Sequence, residues 1–295
     1  MRTSFDALLA DGQPIVADGG MGTMLFAQGL ERGDSPERWN VERPDAIRAV
    51  QRAYIEAGAQ IILTNTFGGN RYRLHEDLRE RATELNRAAA ELARAEADAA
   101  AYPVLVAGDI GPTGRLLEPL GDLAFEDAVA AFKEQALGLV EGGVDVLWIE
   151  TMSDLEEVRA AVEACREVAP ALPVIATMTF DTKGRTMMGV TPEKALATLS
   201  ELDVVALGAN CGNGPDEIEG VIAKMHDAGT SLPLIAKANA GLPRLEAGVA
   251  VYHATPDVMG EYAGRVYDLG ARIVGACCGS TPEHIRAIAQ RLRSN

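Results

Sequence analysis

The chain has 295 residues, 47% of them hydrophobic and only 5% aromatic, and 27 Lys and Arg against 43 Asp and Glu give a formal net charge of −16. That apolar fraction excludes a disordered chain, and the acidic balance excludes a broad basic face for nucleic acid. Four cysteines, at 165, 211, 277 and 278, are too sparse for a disulfide scaffold of this size. The N-terminal MRTSFDALLADG is interrupted by Asp6 and Asp11 and lacks the apolar core of a signal peptide. No run approaches the ~20 apolar residues that span a bilayer. The expectation is a reduced, cytoplasmic protein with no membrane partner.

In chain order, residues 4–10 predict a short extra helix ahead of the first strand. Apolar, β-rich runs then recur at 15–18, 61–66, 104–109, 144–150, 174–180, 204–210, 234–239 and 273–277. Continuous apolar runs of this length suit strands buried on both faces, as in parallel sheets. Helical patterns fill the intervals, at 44–57, 71–100, 125–141, 154–169, 191–202, 215–228, 255–269 and 281–292. Three of them open on Thr-Pro-acid: Thr191-Pro192-Glu193, Thr255-Pro256-Asp257 and Thr281-Pro282-Glu283. There Thr can cap free N–H groups, Pro loses no hydrogen bond, and the acid favours the positive helix end.

Eight strands alternating with eight helices, with no linker or composition shift between them, predict a single-domain α/β fold over 1–295, a (β/α)8 TIM barrel. An open doubly wound sheet is the alternative, but no strand–turn–helix unit has the GxGxxG spacing of a dinucleotide fold. In such a barrel the functional groups sit at the C-terminal strand ends. Those ends read Asp18-Gly19-Gly20-Met21-Gly22, Thr64-Asn65-Thr66-Phe67, Gly108-Asp109-Ile110-Gly111-Pro112 and Glu150-Thr151. Then come Thr179-Phe180-Asp181, Asn210-Cys211-Gly212, Lys237-Ala238-Asn239 and Cys277-Cys278-Gly279. Nearly every end carries a polar or ionisable residue, and the strand starts do not.

Three cysteines therefore share one rim. Three thiolates without a fourth protein ligand match a catalytic zinc with an open position, and thiolates favour a soft or borderline ion. Consecutive strand residues face opposite ways. Cys277 and Cys278 converge only if the chain turns there, which Gly279 permits. Spacing alone leaves zinc ligation evenly matched with a plainer role, as small buried hydrophobes or a redox pair. Cys165 shares a helical face with Leu155, Val158 and Val162 and belongs to the core. Asp18 and Glu150 are open to several roles: an acid–base couple, a holder for an amino-acid ammonium, or plain loop caps or surface ion pairs. The Gly19-Gly20-Met21 loop offers backbone N–H groups to an anion. The four histidines form no constellation and are expected at the surface. Trp148 is expected to pack within its strand, and Trp39 to line or cover the barrel mouth.

Taken together, Asp18-Gly19-Gly20-Met21-Gly22-Thr23, Thr64-Asn65-Thr66-Phe67, Gly108-Asp109-Ile110-Gly111-Pro112, Glu150-Thr151, Asn210-Cys211-Gly212 and Gly275-Ala276-Cys277-Cys278-Gly279 occur in order. They resemble the homocysteine S-methyltransferase family over almost the whole chain, and most closely the homocysteine-binding module of its cobalamin-dependent branch. The resemblance implies that Cys211, Cys277 and Cys278 bind zinc and that the homocysteine thiol takes the fourth position. It implies that Asp18 and Glu150 hold the substrate ammonium and that the N–H groups of Gly19, Gly20 and Met21 hold its carboxylate. Asn210, beside Cys211 in the same motif, is counted among the substrate-binding residues.

The resemblance leaves several methyl donors. No donor domain follows before Asn295, so the expectation is a methyl group from methylcobalamin or methyltetrahydrofolate, brought by a separate corrinoid or folate-binding protein. A direct donor, betaine or S-methylmethionine, is the alternative within the family. The betaine branch has aromatic residues after the Thr-Phe of strand two and after the Glu of strand four, where this chain has Gly68 and Thr151. Trp39, Tyr72 and Phe67 are the remaining candidates for a cation–π cage. A homocysteine-binding subunit with no activity of its own is the reading from a different class.

Overall fold

The computed structural model describes residues 2–31, 33–242, 244–246 and 249–294. Seven parallel strands follow in chain order: β1 (Ile15–Val16), β2 (Ile61–Leu63), β3 (Leu105–Ile110), β4 (Val146–Met152), β5 (Val174–Met178), β6 (Ala206–Cys211) and β7 (Leu234–Ala238). A short antiparallel hairpin, β8 (Arg244–Glu246) with β9 (Val249–Val251), precedes the eighth parallel strand, β10 (Ala271–Ala276). The parallel ladder runs β1-β10-β7-β6-β5-β4-β3-β2, and a bridge from Ala17 to Ile61 joins its two ends. The sheet thus closes into the (β/α)8 barrel that the alternation predicts.

The strands are apolar on both faces because each face is buried differently. Ile61, Leu63, Leu105, Ala107, Val146, Trp148, Ile175, Ala206, Ile235 and Ile273 fill the barrel interior. Their alternate neighbours, among them Ile62, Val106, Leu147, Ala176, Leu207, Ala236 and Val274, pack under the outer helices. This period of two puts Asp109, Glu150, Asn210 and Lys237 in phase with the interior set, at the C-terminal ends of their strands. The extra helix Phe5–Ala10 closes the opposite end, with Phe5 and Leu8 joining the interior cluster.

Helix starts follow the expected chemistry. The hydroxyls of Thr191 and Thr255 accept from Lys194 N and Val258 N, at 3.2 and 3.4 Å. Thr281 forms a capping box with His284, whose Nε2 lies 2.9 Å from the Ala254 carbonyl. His284 is therefore buried, against the expectation of surface residence; the cap fixes its ring where the surface would have left it free. The periodic stretch 71–100 is not one helix. A turn at 71–74 and a 3-10 segment, Glu76–Arg81, precede the α-helix Ala82–Ala99. Asn70 Oδ1 accepts from Tyr72 N and Arg73 N, an alternative to helical hydrogen bonding that sequence periodicity does not register. The glycine-rich loop after β1 becomes a helix, Met21–Ala27, with Gly20 at its cap. No helix of the described residues is long and apolar enough to cross a membrane.

Candidate active site and metal centre

The thiols of Cys211, Cys277 and Cys278 lie within 4.8 Å of one another, and Cys211 Sγ is 3.2 Å from Cys277 Sγ. Tetrahedral zinc with Zn–S bonds of ~2.3 Å needs sulfurs about 3.8 Å apart, so the cluster fits after sub-ångström adjustment. The three thiols come from two strand ends that flank β7. Cys277 stays on the ladder, its N–H donating to the Ala238 carbonyl at 2.8 Å. Cys278 has left it, and its N–H donates to Asn239 Oδ1 at 2.9 Å. Gly279 then turns at φ 79°. Cys211 itself sits at φ 65°, a left-handed conformation that costs a non-glycine residue about 1–3 kcal/mol. Hydrogen bonds to Cys277 and Cys278, with burial, hold the Cys211 thiol above its ordinary range. Cys278 moves the other way, well below that range, because Cys211 and Cys277 donate to it. Cys165 is fully buried and far from this chemistry, its thiol pushed up to about 12 by burial.

Beneath the thiols is a cavity of about 350 Å³, with Asp18, Asp109, Glu150 and Lys237 among its lining residues. Lys237 Nζ lies 3.0 Å from Asp18 Oδ1 and 5.0 Å from the Trp148 ring centre. Asp18 Oδ2 accepts from Leu63 N at 2.7 Å. Burial raises the Asp18 carboxyl against the pull of Lys237. Burial likewise lifts Glu150 to about 8, with Lys237 again opposing. Asp109 is raised well above the ordinary carboxylate range by burial and by Glu150. Trp148 is buried as expected, its Nε1 donating to Thr177 Oγ1 at 3.1 Å.

Asn210 reaches this site through its neighbours. Its Oδ1 accepts from Thr151 N at 2.8 Å, and its Nδ2 donates to Thr151 Oγ1 at 2.6 Å and lies 3.5 Å from Glu150 Oε2. Thr151 is held at φ 59° beside the irregularity in β4, so the Asn210 amide fixes the strained residue that follows Glu150. Gly19, Gly20 and Met21 line the cavity. The Gly20 N–H is already engaged, donating to Ser280 Oγ at 2.9 Å, and Ser280 Oγ donates to the Cys277 carbonyl at 2.7 Å. One relay thus ties the first loop to the strand end that carries Cys277 and Cys278. Trp39 is buried and Arg43 lies 3.9 Å over its ring; Arg73 lies over Phe67 at 5.2 Å and Arg115 over Tyr72 at 6.0 Å.

Sequence reasoning assigned no role to Lys237, Asp109, Asn239 or Ser280. A signal for the first two existed. Each is an ionisable residue inside an apolar strand run, in phase with interior residues. Asn239 and Ser280 carry no such mark, since loop Asn and Ser are common everywhere.

The homocysteine S-methyltransferase family model matches residues 15–292. The chain belongs to that family. It is 36% identical over 290 residues to methionine synthase of Mycobacterium tuberculosis, covering 93% of this chain and 24% of that protein. Against methionine synthase of Mycobacterium leprae the identity is 35% over the same length and coverage. The chain thus spans about a quarter of the length of these curated relatives. Among solved structures, the metallated form of the homocysteine methyltransferase MmuM from Escherichia coli superposes with a TM-score of 0.80 at 26% identity, covering 97% of this chain and 99% of that one.

Proposed function

We propose that this chain transfers a methyl group to the thiol of homocysteine, giving methionine, with zinc held by Cys211, Cys277 and Cys278. The observation that carries the reading is the convergence of three thiols at the mouth of a cavity whose floor is lined by buried carboxylates. Zinc, when bound, keeps a substrate thiol ionised at neutral pH, where a free thiol is mostly protonated. The chain's own residues do the rest. Asp18, set by Leu63 N and Lys237, and Glu150, set through Asn210 and Thr151, receive the substrate ammonium. The N–H groups of Gly19 and Met21 receive its carboxylate, that of Gly20 being given to Ser280 Oγ. In the transfer, a sulfur electron pair forms the new S–CH3 bond. The bond from methyl to donor breaks with its electron pair going to the donor, and the thiol proton is lost to solvent.

The donor in this reading is a methyl group carried on a corrinoid. The higher identity to methionine synthases than to MmuM supports it. Betaine is disfavoured by charge: the three aromatic rings that could cage a quaternary ammonium each already carry an arginine guanidinium. The test is methionine formation from homocysteine with methylcobalamin, methyltetrahydrofolate plus a corrinoid protein, betaine or S-methylmethionine. Turnover is expected with methylcobalamin, and is expected to vanish on zinc chelation or in Cys278→Ala, with zinc content falling from about one per chain toward none. Undiminished transfer by the metal-free protein would sink the proposal.

A further inference from the structure

The floor of the cavity contains more acid than the ammonium site described above uses. β3 delivers Asp109 in phase with Leu105 and Ala107, which face the barrel interior. The Asp109 main chain is fully engaged. Its N–H donates to Thr64 Oγ1 at 3.0 Å, and its carbonyl accepts from Thr66 Oγ1 at 2.7 Å and Gln135 Nε2 at 3.2 Å. The side chain is different. Asp109 is only 5% exposed, and its Oδ1 is buried with no hydrogen-bond partner. An acceptor removed from water and given no donor costs free energy, so a rigid strand end that keeps one points to a donor arriving from outside.

Charge balance identifies that donor. Of the described basic residues lining the cavity, Lys237 alone is buried; Arg73 and His75 are exposed. Lys237 is matched to Asp18 at 3.0 Å, and the second Asp18 oxygen holds Leu63 N. That pair is neutral as it stands, so Asp18 offers an ammonium a hydrogen-bond acceptor but no net charge. Asp109 and Glu150 are left as two buried acids with no protein cation of their own. A primary ammonium brings one positive charge and three N–H donors, and so supplies what both lack.

We propose that Asp109 is a substrate-contacting residue, its free Oδ1 accepting a hydrogen bond from the ammonium of the amino-acid substrate alongside Glu150. This rests on the homocysteine reading above. It makes Asp109 a specificity determinant for α-amino thiols over thiols that lack the amine.

The test is calorimetric binding to the zinc-loaded protein, without any methyl donor, using homocysteine and its des-amino counterpart 4-mercaptobutyrate. In Asp109→Asn, homocysteine affinity is expected to fall by about tenfold or more, the loss of one charge-assisted hydrogen bond. Binding of 4-mercaptobutyrate is expected to stay within about twofold, because it presents no amine to the missing carboxylate. The ligand-free variant should melt no lower than the parent, since an uncompensated acid has been removed. Asp109→Ala repeats the comparison with the side chain truncated. Equal losses for both ligands, or no loss for homocysteine, would overturn the assignment. Failure of the unmodified protein to prefer homocysteine over 4-mercaptobutyrate would instead bring down the amino-acid reading itself, so the two failures are distinguishable.

Discussion

At the scale of residues, the site concentrates acids whose ionisation opposes folding as pH rises. Glu150 keeps its proton to about 8, against 4.5 for an ordinary glutamate, because burial outweighs the attraction of Lys237. Between those values the folded, ligand-free protein binds a proton that the unfolded chain has released. Stability then falls with rising pH, at up to ~1.4 kcal/mol per unit for one such group. The contribution of Glu150 is fully present below about 4.5 and gone once pH has passed about 8. Glu150→Gln should therefore leave stability nearly unchanged at pH 5 and raise it at pH 8, as read by denaturant unfolding of the metal-free protein. The raised carboxyls of Asp18 and Asp109 keep part of the slope. An unaltered pH profile in the variant would show that Glu150 is ionised in the fold. The position of these charged groups was legible in the sequence: strand phase alone sends Asp109, Glu150 and Lys237 inward. Which of them are paired was not, because Lys237 reaches Asp18 across 219 residues of chain.

At the scale of elements, the strand ends are held apart or together by a few glycines. The spacing argument placed the needed turn after Cys278, and Gly279 supplies it at φ 79°. A Cβ there would lie 2.0 Å from Tyr252 Cγ, within the segment that follows the β8–β9 hairpin. Gly143 has a similar φ of 86° but open space around its Cα. The two positions separate backbone cost from steric cost. Gly143→Ala should lose only about 1–2 kcal/mol of stability, the left-handed penalty. Gly279→Ala should also displace Cys278 and lower zinc affinity by at least about tenfold, the size of effect seen when support around a metal ligand is disturbed. Competition with a chromogenic chelator measures it, and equal zinc affinity in the two variants would refute the steric account. The sequence did not disclose that Cys211, rather than Cys277 or Cys278, adopts the left-handed backbone. Nor did it show that Asn70 breaks the helical pattern from residue 71, because both outcomes depend on partners distant in sequence or on side-chain competition for backbone groups.

At the scale of the whole molecule, the packed core is a source of order separate from the cysteine cluster. The barrel interior is filled from Phe5 at one end to Trp148 beneath Lys237, and none of that packing involves the thiols. A chain of this length buries enough apolar surface to fold without a metal, unlike small domains that depend on zinc for their structure. Zinc would instead bridge the ends of β6 and β10 across β7, three neighbouring strands of an already closed barrel. Metal binding only to the folded form adds stability as the logarithm of ligand excess, about 2.7 kcal/mol at a hundredfold excess over the dissociation constant. For a protein of this size that corresponds to a shift of only about 5–10 °C in melting temperature. Chelation should therefore leave the far-ultraviolet circular dichroism unchanged and lower the melting temperature by that amount. Amide exchange should quicken at the C-terminal ends of β6, β7 and β10 while the strands around Trp148 stay protected. Global unfolding on chelation would instead make the three cysteines a structural staple, contrary to the separation of their cluster from the packed barrel interior.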